Sequence, residues 1–149
     1  TLIKLSHIDN IVGIKEASGN LEQVAKIIEG TPDSFGMFSG NDSDTLPILA
    51  LGGYGAISVA SHLAGLQIKD MIDRFVKGDT TGAAAAHRRL LPLVNALFLV
   101  SNPIPVKYAV NKVGFRAGKP RLPLTEPDAK TAAAIDSVLK NYKMDLPVR

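Results

Sequence analysis

The chain has 149 residues, 46 % of them hydrophobic, a formal net charge of +3 and no cysteine. That apolar content is enough for a core and excludes a disordered chain, while the lack of cysteine excludes disulfides and thiolate metal sites. The lysines and arginines are dispersed rather than blocked, so the positive charge leaves no nucleic-acid footprint.

Leu2, Leu5 and Ile8 predict the end of a helix, and Ile11 to Ile14 a buried strand that delivers Lys15 to the loop after it. Leu21, Val24, Ile27 and Ile28 recur at helical spacing after Asn20, an N-cap with Gln23 at the capping-box position. Gly30 and Pro32 end that helix. Ser34 to Ser39 reads as a second strand, Asp44 to Leu51 as a helix with Pro47 in its first turns, and Ala56 to Val59 as a third strand. Short strands alternating with amphipathic helices predict parallel pairing.

Past Ala60 strand signals cease. Ile68, Met71, Ile72, Phe75 and Val76 form one helical face ending at Gly78, and Asp79 or Thr80 caps a helix running toward Val100 that Pro92 should bend or break. Pro103 and Pro105 suit the first turn of a further helix stopping at Gly114. Arg116 to Leu124 is a basic loop, and Thr125 is expected to open a last helix reaching Asn141. The longest apolar stretch, Leu90 to Val100, carries Pro92 and Asn95 and is too short to span a bilayer, so no membrane partner is expected. The expected organisation is residues 1–60 as the last strands of a βα fold and 61–149 as a helical extension. Three strands can neither close a barrel nor bury both faces of a sheet, and Thr1 stands where Met would begin a chain, so a preceding segment is expected.

Lys15 carries the sharpest chemical expectation. Among apolar walls at a strand end it is partly desolvated, which favours the neutral amine, a nucleophile toward carbonyls. The residues equally allow a snorkelling lysine paired with Glu16. Ser39-Gly40-Asn41-Asp42 follows the second strand and Ile57-Ser58 closes the third, so all three places would face one mouth of a parallel barrel. Gly40 permits close backbone approach, and Asn41 and Asp42 offer polar groups, although the same four residues make an ordinary turn and cap. Gly52-Gly53-Tyr54-Gly55 lacks phosphate-loop spacing, and His7, His62 and His87 lack metal-ligand spacing.

Four ordered motifs make the pattern specific: Gly13-Ile14-Lys15-Glu16-Ala17-Ser18-Gly19-Asn20, Ser39-Gly40-Asn41-Asp42, Gly52 to Val59, and Asn102-Pro103-Ile104-Pro105-Val106-Lys107. Together they resemble the C-terminal half of the dihydrodipicolinate synthase (4-hydroxy-tetrahydrodipicolinate synthase) family of class I pyruvate-dependent lyases. The resemblance implies an α/β fold, the C-terminal part of a TIM (β/α)8 barrel followed by a helical extension. It implies that Lys15 forms a Schiff base with pyruvate, that the enamine attacks aspartate semialdehyde, and that no other cofactor or metal takes part. It implies Ile57 in the pyruvate pocket and Gly40, Asn41 and Asp42 toward the second substrate. A cytoplasmic homotetramer of lysine and diaminopimelate biosynthesis is the family's setting, and the fragment alone is expected to be inactive without the N-terminal half of the barrel. The family's carboxylate-binding threonines, relay tyrosines, arginine and feedback site have no counterpart here; Tyr54, Tyr108 and Tyr142 do not match the relay position. A sibling aldolase of the N-acetylneuraminate lyase superfamily, and a helical interaction module with a structural Lys15, are the competing readings.

Overall fold

The structure is a computed structural model and describes residues 1–145. The elements run α1 (Leu2–Leu5), β1 (Gly13–Glu16), α2 (Leu21–Gly30), β2 (Gly36–Ser39), a 3-10 turn (Asp42–Asp44), α3 (Thr45–Ala50), β3 (Gly55–Ala56), α4 (Ser61–Val76), α5 (Thr80–Leu97), α6 (Ile104–Lys112) and α7 (Ala129–Asn141). The strands form one parallel sheet in the order β1-β2-β3. The chain divides into two compact units, Thr1–Ser58 with Met71–Ala84, and Val59–Asp70 with the chain from Ala85 onward.

In the first unit β1 begins two residues later than the apolar run suggests. Ile8 and Ile11 are spent on turn hydrogen bonds to Leu5 and Ile8 carbonyls, so the ladder starts when Val12 accepts from the Gly36 amide. Lys15 therefore lies within the strand, in register with Phe38, rather than after it. β3 is only two residues long: Ile57 still donates to Ser39, while the Gly40 amide, facing the other side of β2, carries the β1–β2 ladder on to the Glu16 carbonyl. Alternation puts Lys15, Phe38 and Gly55 on one face and Ile14, Glu16, Met37 and Ser39 on the other. The second face carries the core, where Met37 meets Val24, Ile27 and Ile48, flanked by Leu2, Ile14 and Ile28.

Asn20 caps α2 as expected, its Oδ1 accepting from the Gln23 amide at 3.0 Å. Only that arm of the capping box forms, because Asn20 gives its own amide to Ser18 Oγ (3.1 Å). The helix expected from Asp44 starts with the 3-10 turn, and Pro47 occupies its third α-position, where a missing N–H costs no intrahelical bond.

In the second unit no strand occurs among the described residues, as the sequence predicts. Helix α4 breaks at Ala64 (φ −136°, ψ 38°), a feature with no proline or glycine at that residue to announce it. The break strips the Leu66 and Gln67 amides of their helical partners, and Asp145 Oδ2 accepts both, at 2.6 and 3.2 Å. Asp145 Oδ1 also accepts from the Gln67 side chain (2.9 Å), Tyr142 donates to Gln67 Oε1 (2.8 Å), and Asp145 gives its amide to the Leu63 carbonyl. A carboxylate far along the chain thus caps the restarted helix. Pro92, by contrast, does not interrupt α5, which is continuous from Thr80 to Leu97. Of the expected face on α4, Ile68 and Met71 are buried but Val76 is 75 % exposed. Helix α7 opens at Ala129 rather than Thr125, because Pro127 disfavours helical backbone at Glu126 and Asp128 caps the Thr131 amide at 2.7 Å. Tyr108 and Lys112 of α6 both meet Asp136 of α7, at 3.0 and 3.2 Å.

Replacing Asp145 by Ala leaves two amides at the break without an acceptor. The expected loss is about 1–2 kcal/mol, the usual cost of deleting an N-cap, read as a lower midpoint in thermal melting. An unchanged melt would rule out the cap.

Candidate active site

Lys15 projects from the third position of β1 on the face opposite the core and is exposed. This corrects the expectation of apolar walls around it. Among the described residues the sheet has three strands, and Lys15 sits on its β1 edge, where none of them supplies a further wall. The pairing with Glu16 is also corrected. Consecutive strand residues point to opposite faces, and Glu16 is buried on the core side, 6 % exposed. Lys15 has no hydrogen bond or ion pair among the described residues.

Glu16 instead accepts from the Ser18 amide at 2.6 Å, and at 3.5 Å from Gln23 Nε2. Burial pushes its carboxyl up, but the hydrogen bonds from Ser18, with Gln23 and Ala17 behind them, outweigh this and hold it below the ordinary glutamate value. The Gln23 side chain, expected to complete a capping box, therefore serves Glu16.

Gly40 is buried against the base of Lys15. A Cβ built on it would lie 3.0 Å from Lys15 Cγ, 3.0 Å from the Glu16 carbonyl oxygen and 2.9 Å from Ala17 Cβ. Its amide is already given to Glu16 O at 2.7 Å. Asn41 donates both side-chain amide hydrogens to protein, to Ala17 O (3.2 Å) and Asp44 Oδ2 (2.9 Å). Asp42 is 6 % exposed and accepts from Ser58 Oγ. The loops after all three strands are thereby tied together: Asn41 joins the second to the first, and Asp42 the second to the third. Ile57, next in alternation after Gly55, is carried to the side of Lys15 and is 48 % exposed. Lys15, Gly40 and Ile57 are thus gathered at one end of the sheet, with Asn41 and Asp42 engaged in holding it.

Sequence reasoning named Glu16 only as a partner for Lys15 and Ser58 only as the close of the third strand, and it missed Phe38. The Phe38 ring covers Gly36, where a Cβ would come within 2.8 Å of it, and meets Tyr54 edge-on with centroids 5.3 Å apart. Only the strand register brings Phe38 beside Lys15, and no local pattern carries that register. Two cavities, of about 200 and 360 Å³, are lined by residues such as Tyr108 and Lys119, and His7 and Phe35; neither touches Lys15. Among the described residues no cluster of three or more histidine or acidic side chains could hold a metal ion, and no helix is long and apolar enough to cross a membrane. His62 turns its Nδ1 to the Val59 carbonyl (2.9 Å).

Residues 1–142 match the Dihydrodipicolinate synthetase family. The chain belongs to that family. It is 61 % identical, over all 149 of its residues, to 4-hydroxy-tetrahydrodipicolinate synthase of Dehalococcoides mccartyi strain CBDB1, of which it covers 50 %. It also superposes on the crystal structure of the family enzyme from Cyanidioschyzon merolae with lysine bound, with a TM-score of 0.89 and 45 % identity over 93 % of this chain and 47 % of that one. A third match is the chloride-inhibited enzyme of Acinetobacter baumannii complexed with pyruvate, with a TM-score of 0.88, 30 % identity and coverage of 95 % and 48 %. The chain spans about half the length of the curated relatives it matches. Family members in these comparisons are α/β proteins, and the short parallel sheet with its helices is the corresponding portion here.

The tight fit at Gly40 has a measurable consequence. In Gly40→Ala the added methyl meets backbone and the Lys15 stem together, so neither can yield alone. The expected destabilisation is about 1–3 kcal/mol, the range for overpacking, checked by denaturant unfolding; a neutral substitution would mean the loops are looser than these distances imply.

Proposed function

We propose that this chain is the lysine-bearing C-terminal part of a (β/α)8 barrel that condenses pyruvate with aspartate semialdehyde to 4-hydroxy-tetrahydrodipicolinate. The observation that carries this reading is Lys15 itself: an unpartnered amine on the non-core face of a parallel sheet, against Gly40 and at the same sheet end as Ile57. A structural lysine would be expected to hold a carboxylate or a carbonyl, and this one holds neither. Membership of the family and the pyruvate complex of the Acinetobacter baumannii relative support the donor substrate.

The chemistry follows from an imine. The Lys15 amine adds to the C2 carbonyl of pyruvate and water leaves, forming a protonated imine that withdraws electrons from the methyl group. A methyl proton departs to give an enamine, whose carbon attacks the aldehyde of aspartate semialdehyde and forms the new carbon–carbon bond. The aldehyde oxygen takes up a proton, the substrate amine closes on the imine carbon, and Lys15 leaves with its electron pair restored. Electrons are conserved throughout, so no redox cofactor enters, and the imine does the work of a metal. Ile57 would line the pyruvate side, and the loop of Gly40, Asn41 and Asp42 would shape the approach of the second substrate. The remainder of the barrel would supply the walls about Lys15, the groups that bind carboxylates and the proton relay. Residues 1–60 would furnish barrel strands, and residues 61–149 the last barrel helix and a helical extension that supports a homotetramer in the cytoplasm.

Borohydride reduction in the presence of pyruvate tests the reading. In the chain joined to the remainder of the Dehalococcoides mccartyi relative, peptide mapping is expected to place the reduced adduct on Lys15. Lys15→Arg should abolish it, since a guanidinium stays protonated and forms no imine. An adduct at a different lysine would overturn the assignment.

The 149-residue chain by itself is expected to show no condensation turnover. It leaves Lys15 on an open face and the outer edges of β1 and β3 unpaired. Turnover by the purified chain alone would refute the need for a complementary half.

A further inference from the structure

We propose that Glu16 is a positioning residue for Lys15, its buried carboxylate clamping the strand end from which the lysine reaches a 2-oxo acid. The proposal rests on the Schiff-base reading above and names a residue that the chemistry itself does not use. Glu16 is 6 % exposed, and its partners are hydrogen-bond donors rather than a cation. A carboxylate withdrawn from water without a counter-ion is costly unless donors satisfy it. Here the donors belong to the loop that leaves β1 and to the first turn of α2: the Ser18 amide at 2.6 Å and Gln23 Nε2 at 3.5 Å.

The clamp has a second jaw. The Glu16 carbonyl accepts the Gly40 amide at 2.7 Å, and Gly40 in turn packs against Lys15 Cγ. Ser18 is held in place by the Asn20 amide on its Oγ (3.1 Å), and Asn20 by the Gln23 amide on its Oδ1 (3.0 Å). Glu16 is therefore fixed by its side chain to the loop and helix on one side and by its main chain to the second strand's loop on the other. Lys15 is joined to it by one peptide bond. With the strand end fixed, the only freedom left to Lys15 is that of its own side-chain torsions. Reacting groups gain most of their rate from such prior restraint, and a small misplacement is expensive.

Two measurements test the clamp. Amide hydrogen exchange on the 149-residue chain reads the restraint without reference to any substrate. In Glu16→Ala the Ser18 and Gly40 amides are expected to exchange about tenfold faster, while amides of α2 and β2 around Val24 and Met37 stay protected. Unchanged exchange at Ser18 and Gly40 overturns the proposal whatever the lysine does. Pyruvate trapping in the completed barrel then reads the consequence. The trapping rate at saturating pyruvate should fall about tenfold or more in Glu16→Ala, with the half-saturating concentration held within about twofold. Glu16→Asp should restore most of the rate, because aspartate can still accept the amide two residues on. Failure of this rescue, or faster exchange with no loss of trapping, overturns the proposal. If Glu16→Ala does not fold, Glu16→Gln is read the same way, with a fall of about threefold expected because a neutral acceptor is the weaker one. An unsubstituted protein that forms no adduct sinks the Schiff-base reading itself and this proposal with it, and is told apart because the loss then precedes any change at Glu16.

Discussion

Parallel pairing of β1, β2 and β3 is the constraint on which the remaining structure depends. A parallel strand cannot follow its neighbour by a hairpin, so each return path must carry the chain back along the sheet, here through α2 and α3. The same rule sends every strand's carboxyl end in one direction. Lys15, Gly40 and Ile57, which are far apart in the chain, come to the same end of the sheet for that reason. The register then decides the faces: Lys15 opposite Phe38 and Phe38 opposite Gly55 lie on one side, and Met37 anchors the core on the other.

That division explains why adjacent residues of opposite charge do not pair. Lys15 and Glu16 are separated by the sheet itself, one outward and one buried. A direct ion pair would hold the amine on a carboxylate and withdraw it from a carbonyl. The pleat prevents this without any further residue, and frees Glu16 to bind the loop that follows. Asn41 and Asp42 belong to the same scheme. Their polar groups go to Ala17, Asp44 and Ser58, so what they contribute at the strand ends is fixity among the three loops.

Much of this organisation is legible in the amino-acid order because it depends on local periodicity. The alternation of helix and strand before Ala60, the cap at Asn20, and the prolines opening α6 all rest on side chains within a few positions of one another. What the sequence hides depends on distant partners. The break at Ala64 needs Asp145 to accept its exposed amides, and nothing near Ala64 announces a residue so far along the chain. Strand ends shift for a related reason: Ile11 and Val12 look like strand residues, but Ile11 is drawn into a turn with Ile8 before the ladder begins. Pro92 errs the other way. Helix α5 stays continuous across a residue that removes a donor, which fits a long helix with buried Leu90, Leu93, Val94 and Leu97 on one side to hold it. In the site, Lys15 and Gly40 stand out by motif, whereas Glu16 and Phe38 acquire meaning only through burial and register.

The contrast between a fixed base and a free side chain follows from these contacts. The polar groups that follow Lys15 in the chain are engaged: the Glu16 carboxylate with Ser18, the Glu16 carbonyl with Gly40, the Ala17 carbonyl with Asn41. The lysine side chain has no such partner and keeps its rotamer freedom, worth up to about 2 kcal/mol for a long chain on being ordered. Imine formation on Lys15, as proposed, would restrict that freedom, and walls that restrict it beforehand would lower the barrier. Nothing on the β1 edge of this sheet provides them, since β2 lies on one side only and Gly13 and Gly36 bring no side chains to the layer below. The division of labour is therefore physical: these loops set where the lysine starts, and in the proposed barrel whatever pairs with the open edge of β1 would set where its amine ends.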